Sequence, residues 1–474
     1  MVGPYRRLAR HGRGPVGHVG HPPLVVVMRP SSSGFAMAFP LSASWFRPLA
    51  PLSLGTALLT LTPAVAQDMG QVRATITTLA SPDFHGRGYV RQGSQRAATF
   101  LRRRFQQLGL RTFTPRYAQP FTLTVNTFPG DFSLRLDGRE LLPGVEFIAE
   151  PASGAGRVSG PLLPLDSLIF TSEEAGQRFL AQSLHGQIVV LRQRDAERLR
   201  TLPDSFAEHL NQAAALITLV PDKLTASLAD AQFPQPRLQV LASRWTGPRQ
   251  QATLAVEAKL ERDYPAQNLI GYVQGRVQPD SFLVVTAHYD HLGHMGKKTF
   301  FPGANDNASG TAMLLALAEH YAKPENQPAY SIAFMAFGAE EAGLLGSRYY
   351  VAHPLFPLTR IRFLINMDLL GTGEDGITVV NGKVLEKPFQ QLTALNSAGR
   401  YVPQVAARGR AANSDHYPFS EQGVPAFFFY TRGGSKAYHD VQDRPDDLSL
   451  ASVRGVFRLT TRFLDQLATP AAKP

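Results

Sequence analysis

The sequence predicts an α/β protein: a three-layer sandwich with a mixed, mostly parallel central sheet, plus a smaller inserted α/β domain. From residue 268 onward, continuous apolar runs of strand length alternate with helical patterns, as expected for strands that are covered on both faces. Between about residues 130 and 255 the texture changes, and short strands alternate with helices and proline-rich loops. These two observations predict one large sheet and a second, separate one.

The predicted elements follow one another in a regular order. A helical pattern near residues 72–79, a loop at 81–88 and an amphipathic helix at 94–109 open the folded part, before strand-like stretches at 121–125 and 132–136. Strands of the main domain are predicted at 268–273, 282–287, 330–337, 362–367, 377–380 and 426–430. Helices are predicted between and after them at 309–321, 389–398 and about 450–467.

The chain is therefore divided into three predicted parts. Residues 1–66 are a leader and signal peptide, residues 67–130 and 256–468 form the main domain, and residues 131–255 form the insert. Within the insert, the strand-like segments 186–192 and 213–217 weakly resemble the protease-associated domain. The alternative is that the insert is an elaborated part of the main domain.

The leader has the pattern of an export signal. An apolar run at residues 49–61 is followed by Pro63-Ala64-Val65-Ala66, an A-x-A cleavage pattern before Gln67. The run is too short and too proline-flanked for a good membrane span, so we expect a periplasmic or extracellular protein without stable membrane insertion. A tail with a chance apolar patch is the alternative, and translation could also begin at Met28 or Met37.

Composition excludes several classes of function. The chain has no cysteine, which rules out disulfides, thiolate metal sites and cysteine nucleophiles. The formal charge of +11 falls to +5 without the six arginines of residues 1–66, so no nucleic-acid partner is expected. No G-x-S-x-G motif supports a serine hydrolase, and residues 303–310 lack the G-K-[ST] ending of a phosphate loop.

Five short segments carry residues that are suited to hold a divalent metal. They are His288 in A-H-Y-D-H, Asp306 in G-A-N-D-N-A-S-G, Glu340 and Glu341 in G-A-E-E-A-G, Asp368 in N-M-D-L-L-G, and His439 in Y-H-D. Three of these segments directly follow predicted strands, and ligands of open α/β sheets bind beyond the carboxyl ends of strands. Two histidines and three carboxylates, with one more carboxylate beside them, are the residues of a two-zinc hydrolase.

Taken singly, each of these residues has a purely structural explanation, such as a helix cap for Asp306 or the first turn of a helix for Glu340 and Glu341. Their occurrence together favours a site. Gly303 and Gly310 allow tight turns of the backbone on either side of Asp306.

In this order and with these neighbours, the five segments resemble peptidase family M28, the co-catalytic two-zinc exopeptidases. The resemblance covers residues 68–125 and 260–468 and implies two zinc ions per chain. It implies that His288 and Asp368 bind one zinc, that Glu341 and His439 bind the other, and that Asp306 bridges both. Three ligand carboxylates and a bridging hydroxide would then balance the charge of two zinc ions.

The resemblance also assigns three catalytic roles. Glu340 would be the general base, and Asp290 of the H-x-D pattern would orient the imidazole of His288. Tyr438 would donate a hydrogen bond to the developing oxyanion. We interpret His291, His294 and His416 as loop residues or as supports of the ligands, as opposed to ligands themselves.

The function that follows is that of an aminopeptidase, which hydrolyses N-terminal residues of peptide or protein substrates through a bridging hydroxide. Three alternatives stay open: a single-zinc glutaminyl cyclase, a carboxypeptidase of the same family, and a non-catalytic binding ectodomain. The complete set of five ligands argues against the first and the third. Oligomeric state and side-chain preference are not predicted.

Overall fold

Two large β-sheets organise residues 67–469, the part of the chain that the computed structural model describes. In chain order, the strands up to residue 256 are β1 (Arg111–Thr112), β2 (Ala118–Thr127), β3 (Phe132–Leu136), β4 (Arg139–Glu140), β5 (Phe147–Ala149), β6 (Gly156–Pro164), β7 (Ile188–Arg192), β8 (Ala215–Val220), β9 (Arg237–Leu241) and β10 (Gln251–Val256). The later strands are β11 (Lys259–Val273), β12 (Gln278–His288), β13 (His294–Met295), β14 (Thr299–Phe300), β15 (Tyr330–Phe337), β16 (Ile361–Met367), β17 (Ile377–Val380), β18 (Val405–Ala407) and β19 (Ala426–Thr431).

Ten α-helices lie within the same described range. They are α1 (Met69–Leu79), α2 (Gly93–Gln107), α3 (Glu173–Ala181), α4 (Gln193–Arg198), α5 (Asp204–Leu210), α6 (Gly310–Ala322), α7 (Leu345–Ala352), α8 (Glu386–Gly399), α9 (His416–Glu421) and α10 (Val453–Leu467). None of the helices between residues 67 and 469 is both long and apolar enough to cross a bilayer. The predicted leader and its cleavage pattern at residues 1–66 lie outside the described residues.

The first sheet carries the strands of the predicted main domain in the order β1-β11-β15-β12-β16-β19-β17-β18, with β2 also paired to β11. Its centre is parallel, because β15, β12, β16 and β19 run in one direction. Antiparallel ladders flank this centre, between β11 and β15 and between β17 and β19. The predicted mixed sheet is confirmed, but it is not mostly parallel: four of its eight ladders are parallel, three at the centre and one between β17 and β18.

Alternating side chains of the central strands enter two different cores. Leu283 and Val285 of β12 are buried among residues of α1, α2, α6 and α10. Val284 faces the other way, and it joins a cluster with Tyr350 of α7 and Phe419 of α9. Because each fully buried side chain of this kind contributes about 1.5–3 kcal/mol, the strands are stabilised from both faces. The result is the predicted order of layers, helix, sheet and helix.

The second sheet is built entirely within residues 132–256, in the order β4-β3-β10-β6-β7-β8-β9-β5. Its apolar core continues into the main domain, where Leu292, Met295, Phe301 and Val441 pack with residues of the insert. The insert and the main domain are thus joined by a shared core. The division of the chain into domains, and the likeness of the insert to a protease-associated domain, stay predictions.

Candidate metal centre

The parallel strands at the middle of the first sheet bring the predicted ligands to one edge. Strands β15, β12, β16 and β19 are parallel, so their carboxyl ends lie side by side. His288 ends β12, Asp368 directly follows β16, Glu340 and Glu341 lie three and four residues beyond β15, His439 lies in the loop after β19, and Asp306 lies in the turn before α6. Each predicted ligand therefore sits at the same end of the sheet.

His288, Asp306 and Asp368 form the first group. The Nε2 atom of His288 lies 3.4 Å from Oδ1 of Asp306 and 3.4 Å from Oδ1 of Asp368. All three side chains are buried, and their ligand atoms lie within 4.8 Å of one another. This arrangement can hold one metal ion.

His439 and Glu341 form the second group with the other oxygen of Asp306. The Nε2 atom of His439 lies 3.1 Å from Oδ2 of Asp306 and 3.0 Å from Oε2 of Glu341. Asp306 thus directs one carboxylate oxygen to each group. A carboxylate shared in this way is the geometry that a bridging ligand between two ions requires.

The pKa shifts of the cluster show that its carboxylates are stabilised by neighbouring positive charge. Burial alone would lower the pKa of His439, but the carboxylates of Glu341 and Asp306 raise it to about 11. Burial also opposes ionisation of Asp306, yet the imidazoles of His288 and His439 hold its pKa well below the usual value. Buried carboxylates at this density are stable when cations lie between them.

Asp368 provides the test of whether these residues fit a metal. Its Oδ2 accepts a hydrogen bond of 2.8 Å from the Ser414 hydroxyl, whereas its buried Oδ1 has no hydrogen-bond partner. The Ser414 hydroxyl accepts from Asn366 at 2.7 Å, and the Asn366 carbonyl accepts from Thr286 at 2.6 Å. One oxygen is thus fixed by a buried hydrogen-bond chain and the other is left for a ligand. Imidazole and carboxylate donors suit zinc.

Replacing Ser414 by alanine is expected to weaken metal binding at the first group by about 10-fold, because the oxygen of Asp368 that it holds loses its donor. Zinc retention against a competing chelator measures the effect. Ser420→Ala is the matched control, since this hydroxyl donates to the His416 carbonyl in the same segment. Equal zinc retention by the two variants would show that the hydrogen-bond chain does not support Asp368.

Glu340 and Glu341 are adjacent, and their side chains serve different sides of the site. The Glu341 side chain is 3% exposed and contacts His439, whereas Glu340 is 12% exposed and places Oε2 4.0 Å from Nε2 of His288. Burial, reinforced by the negative charges of Glu341 and Asp415, raises the pKa of Glu340 well above its usual value. A carboxylate with a raised pKa is better suited to take up a proton near neutral pH.

The Asp290 carboxylate does not make the predicted hydrogen bond to the imidazole of His288. Its Oδ1 is 3.8 Å from Nδ1 of His288, longer than a hydrogen bond, and that nitrogen instead lies 3.3 Å from the main-chain oxygen of Asp290. The carboxylate accepts hydrogen bonds from the amides of Glu340 at 3.1 Å and Glu341 at 3.4 Å, and from the Tyr89 hydroxyl at 2.8 Å. Asp290 therefore holds the turn that carries the two glutamates.

The remaining predicted residues occupy distinct places. The ring of Tyr438 stacks on the imidazole of His439 at 3.9 Å and is 46% exposed. His291 is buried, with Nδ1 2.7 Å from Oε1 of Glu341, so it supports a ligand and lies close enough to Asp306 and Glu341 to join a metal group. His294 packs near His85, and His416 packs on Phe428, beyond the ligand groups.

Two residues that the sequence did not single out organise the loop around Asp306. Arg87 is fully buried and donates to the main-chain oxygens of Leu79 at 2.9 Å, Tyr289 at 2.9 Å, Pro302 at 2.7 Å, Gly303 at 2.6 Å and Asp306 at 3.1 Å. The carboxylate of Asp443 accepts the amides of Asn305 at 2.8 Å and Asp306 at 2.9 Å. The guanidinium of Arg87 thus binds carbonyls of the loop, and the carboxylate of Asp443 binds its amides.

Gly303 makes this clamp possible. Its φ is +59°, and a β-carbon there would collide with the carbonyl of Asp306 and with the guanidinium of Arg87. A glycine is needed for both reasons. Arg87 itself stands in the loop predicted at residues 81–88, and its main-chain partners carry no side-chain signal from which the contacts could have been read.

The chain is similar in sequence to known peptidases. Residues 268–464 match the profile of Peptidase family M28. The chain is 25% identical over 354 residues to Aminopeptidase YwaD of Bacillus subtilis, a match that covers 72% of this chain and 75% of that protein. A probable zinc metalloprotease of Leptosphaeria maculans is 35% identical over 212 residues, or 37% of this chain and 48% of that protein.

Solved structures share the fold. The crystal structure of BSAP, a zinc aminopeptidase from Bacillus subtilis, superimposes with a TM-score of 0.64 at 21% identity, over 85% of this chain and 96% of that one. The family profile spans all five predicted ligands, and the Bacillus subtilis aminopeptidase matches 72% of the chain. The predicted resemblance is confirmed: residues 268–464 of the chain match peptidase family M28.

Proposed function

We propose that this chain is an exported zinc aminopeptidase that holds two zinc ions and removes N-terminal residues from peptides. One observation carries the proposal. Asp306 directs Oδ1 to the group of His288 and Asp368, and Oδ2 to the group of His439 and Glu341, so that one carboxylate serves two adjacent cation sites. The relatives whose names include zinc and aminopeptidase support the choice of metal and of reaction.

The residues of the first and second groups would hold one zinc ion each, with Asp306 shared. When bound, zinc would polarise the scissile carbonyl and make an attacking water molecule acidic near neutral pH. Holding zinc in this role needs ligand atoms that are buried and fixed. The unpartnered Oδ1 of Asp368 and the positioned Nε2 of His439 are such atoms.

The chain's own residues perform the proton transfers. The Glu340 carboxylate takes a proton from the attacking water as the new carbon–oxygen bond forms. It then delivers that proton to the amine as the carbon–nitrogen bond breaks. Asp290 accepts a hydrogen bond from the Glu340 amide and so holds the main chain from which that side chain extends. The Tyr438 hydroxyl would donate a hydrogen bond to the oxygen of the scissile carbonyl as negative charge develops there.

The export signal is proposed on the sequence of residues 49–66, and it places the site in the periplasm or outside the cell. Peptides or proteins with a free N-terminus are the proposed substrates. A single-zinc cyclase, a carboxypeptidase and a non-catalytic binding domain are the competing functions, and the experiment below separates all three from an aminopeptidase.

We expect two zinc ions per chain by elemental analysis, and a chelator should abolish hydrolysis until zinc is restored. A peptide library then shows which end of a peptide is trimmed. Peptides with an acetylated N-terminus should resist cleavage, and peptides with an amidated C-terminus should be trimmed. Trimming from the carboxyl end would establish a carboxypeptidase, and one zinc with cyclisation of N-terminal glutamine would establish the cyclase. Hydrolysis that persists in metal-free protein, or zinc without any turnover, would reject the proposal.

A further inference from the structure

The inserted domain makes direct contact with a predicted zinc ligand. The Nδ1–H of His439 donates a hydrogen bond of 2.9 Å to the carbonyl of Ala226, and the Ala226 amide donates one of 3.0 Å to the carbonyl of His439. Because a carbonyl can only accept, the Nδ1 atom must carry the proton, and Nε2 is left free to bind a metal. Ala226 belongs to the loop between β8 and β9 of the second sheet.

Lys223, three residues earlier in the same loop, holds the chain on both sides of His439. Its Nζ donates to the carbonyls of Lys436 and Tyr438 at 2.8 Å each, and lies 3.0 Å from Oδ2 of Asp440. His439 has a φ of +55°, in the left-handed region that non-glycine residues adopt when surrounding contacts impose it. The segment from Lys223 to Ala226, here called the strap, supplies such contacts.

The loop beyond the strap also packs beside the segment that carries Glu340. Leu228 packs against the apolar cluster that contains Ala339, the residue before Glu340. The carbonyl of Ala229, the residue after Leu228, accepts a hydrogen bond of 2.7 Å from the main-chain amide of Asn126. The strap and the residues that follow it are therefore both held in place by contacts with the main domain.

We propose that the inserted domain is a working part of the metal centre: its strap positions His439, and Lys223 is a positioning residue that sets the affinity of the cation held by Glu341 and His439. The second ligand group depends on the insert, whereas the first group is built by the main domain alone among the contacts described above. The inference rests on the proposed function in one respect, that His439 binds a metal ion.

The test is Lys223→Met, which keeps the length of the side chain and removes the ammonium. Loss of a partner that orients a metal ligand typically lowers the affinity for the metal 10- to 100-fold. One zinc ion per chain should therefore be removed at about 10-fold lower chelator concentration, while removal of the other is unaffected. Lys223→Arg, which keeps a cationic donor, should recover part of the loss. Lys297→Met is the matched control, because Lys297 forms a 2.8 Å ion pair with Asp131 between the same two parts of the chain.

Two measurements decide the outcome. Stepwise zinc removal from the full chain, followed by elemental analysis, gives both affinities, and the thermal midpoint of the metal-free protein reports folding. Two unchanged affinities, an equal fall in both, or a drop in midpoint that is the same with and without zinc would each overturn the proposal. If the unaltered chain binds no second zinc, the proposed two-zinc function fails instead, and that result is recognised before any variant is compared.

Discussion

Replacing Glu340 by glutamine is expected to lower kcat by about 10²- to 10⁴-fold and to leave both zinc ions bound. Glutamine has nearly the same shape but cannot accept a proton from water at neutral pH. The Oε2 atom of Glu340 lies 4.0 Å from Nε2 of His288, farther than the oxygens of Asp306 and Asp368 at 3.4 Å, so the substitution removes a proton acceptor and keeps those closer ligands. Steady-state kinetics and elemental analysis on the same preparation measure both effects.

Glu341→Gln is the matched control, since it makes the same chemical change one residue along the chain. Glu341 contacts both His439 and His291, so this variant should lose zinc from the second group. The two variants must therefore differ in metal content, with slow but metal-loaded protein for Glu340→Gln and metal-depleted protein for Glu341→Gln. A full rate in Glu340→Gln, or zinc loss in that variant in place of the other, would remove Glu340 from the role of base.

The strands were predictable where apolar runs are continuous. The prediction at 330–337 coincides with β15, because every residue of that strand after Tyr330 is buried. By contrast, β12 begins at Gln278 and β11 at Lys259, well before the predicted 282 and 268. The extra residues are mostly polar and none of them is buried, and they form strands through ladder pairing, which leaves no hydrophobic pattern.

The five ligands could be predicted because each stands at or near the end of a strand or beside a glycine turn, with a chemically specific side chain. The residues that hold these ligands in place could not be predicted. Arg87 binds five main-chain oxygens, and Ala226 binds His439 through its own main chain. Main-chain partners have no residue type to recognise, and the two ends of the Ala226–His439 contact are separated by 213 positions. Such contacts are known only when the fold is.

Replacing Arg87 by methionine is expected to destabilise the protein by about 3–5 kcal/mol, the usual cost of removing one partner from a buried charged network. Arg87 is 0% exposed, and the burial that lowers its pKa to about 10 still leaves it charged at neutral pH. Methionine would leave five buried carbonyls without their donor and would remove the positive charge facing Asp443, Asp306 and Asp290. The midpoint of denaturant unfolding measures the loss.

Arg102→Met is the control, since Arg102 is partly exposed and donates to one side chain, that of Gln267, at 2.9 Å. Its effect should stay near or below about 1 kcal/mol. Arg87→Lys should recover little, because an ammonium cannot reproduce the fork that reaches the 302–306 loop, Leu79 and Tyr289 together. An Arg87→Met variant as stable as Arg102→Met would show that the carbonyls find other donors.

The same variant separates organisation of the metal loop from general stability. A ligand that binds the folded state raises its stability in proportion to RT ln(1 + [L]/Kd), so zinc should raise the unfolding midpoint of the unaltered protein. Arg87 holds the main-chain oxygens of Gly303 and Asp306, within the turn that carries the shared ligand. If that turn depends on Arg87, the rise in midpoint on adding zinc should shrink in Arg87→Met and persist in Arg102→Met. An undiminished rise would mean that Arg87 stabilises the fold while the Asp306 turn keeps its shape without it.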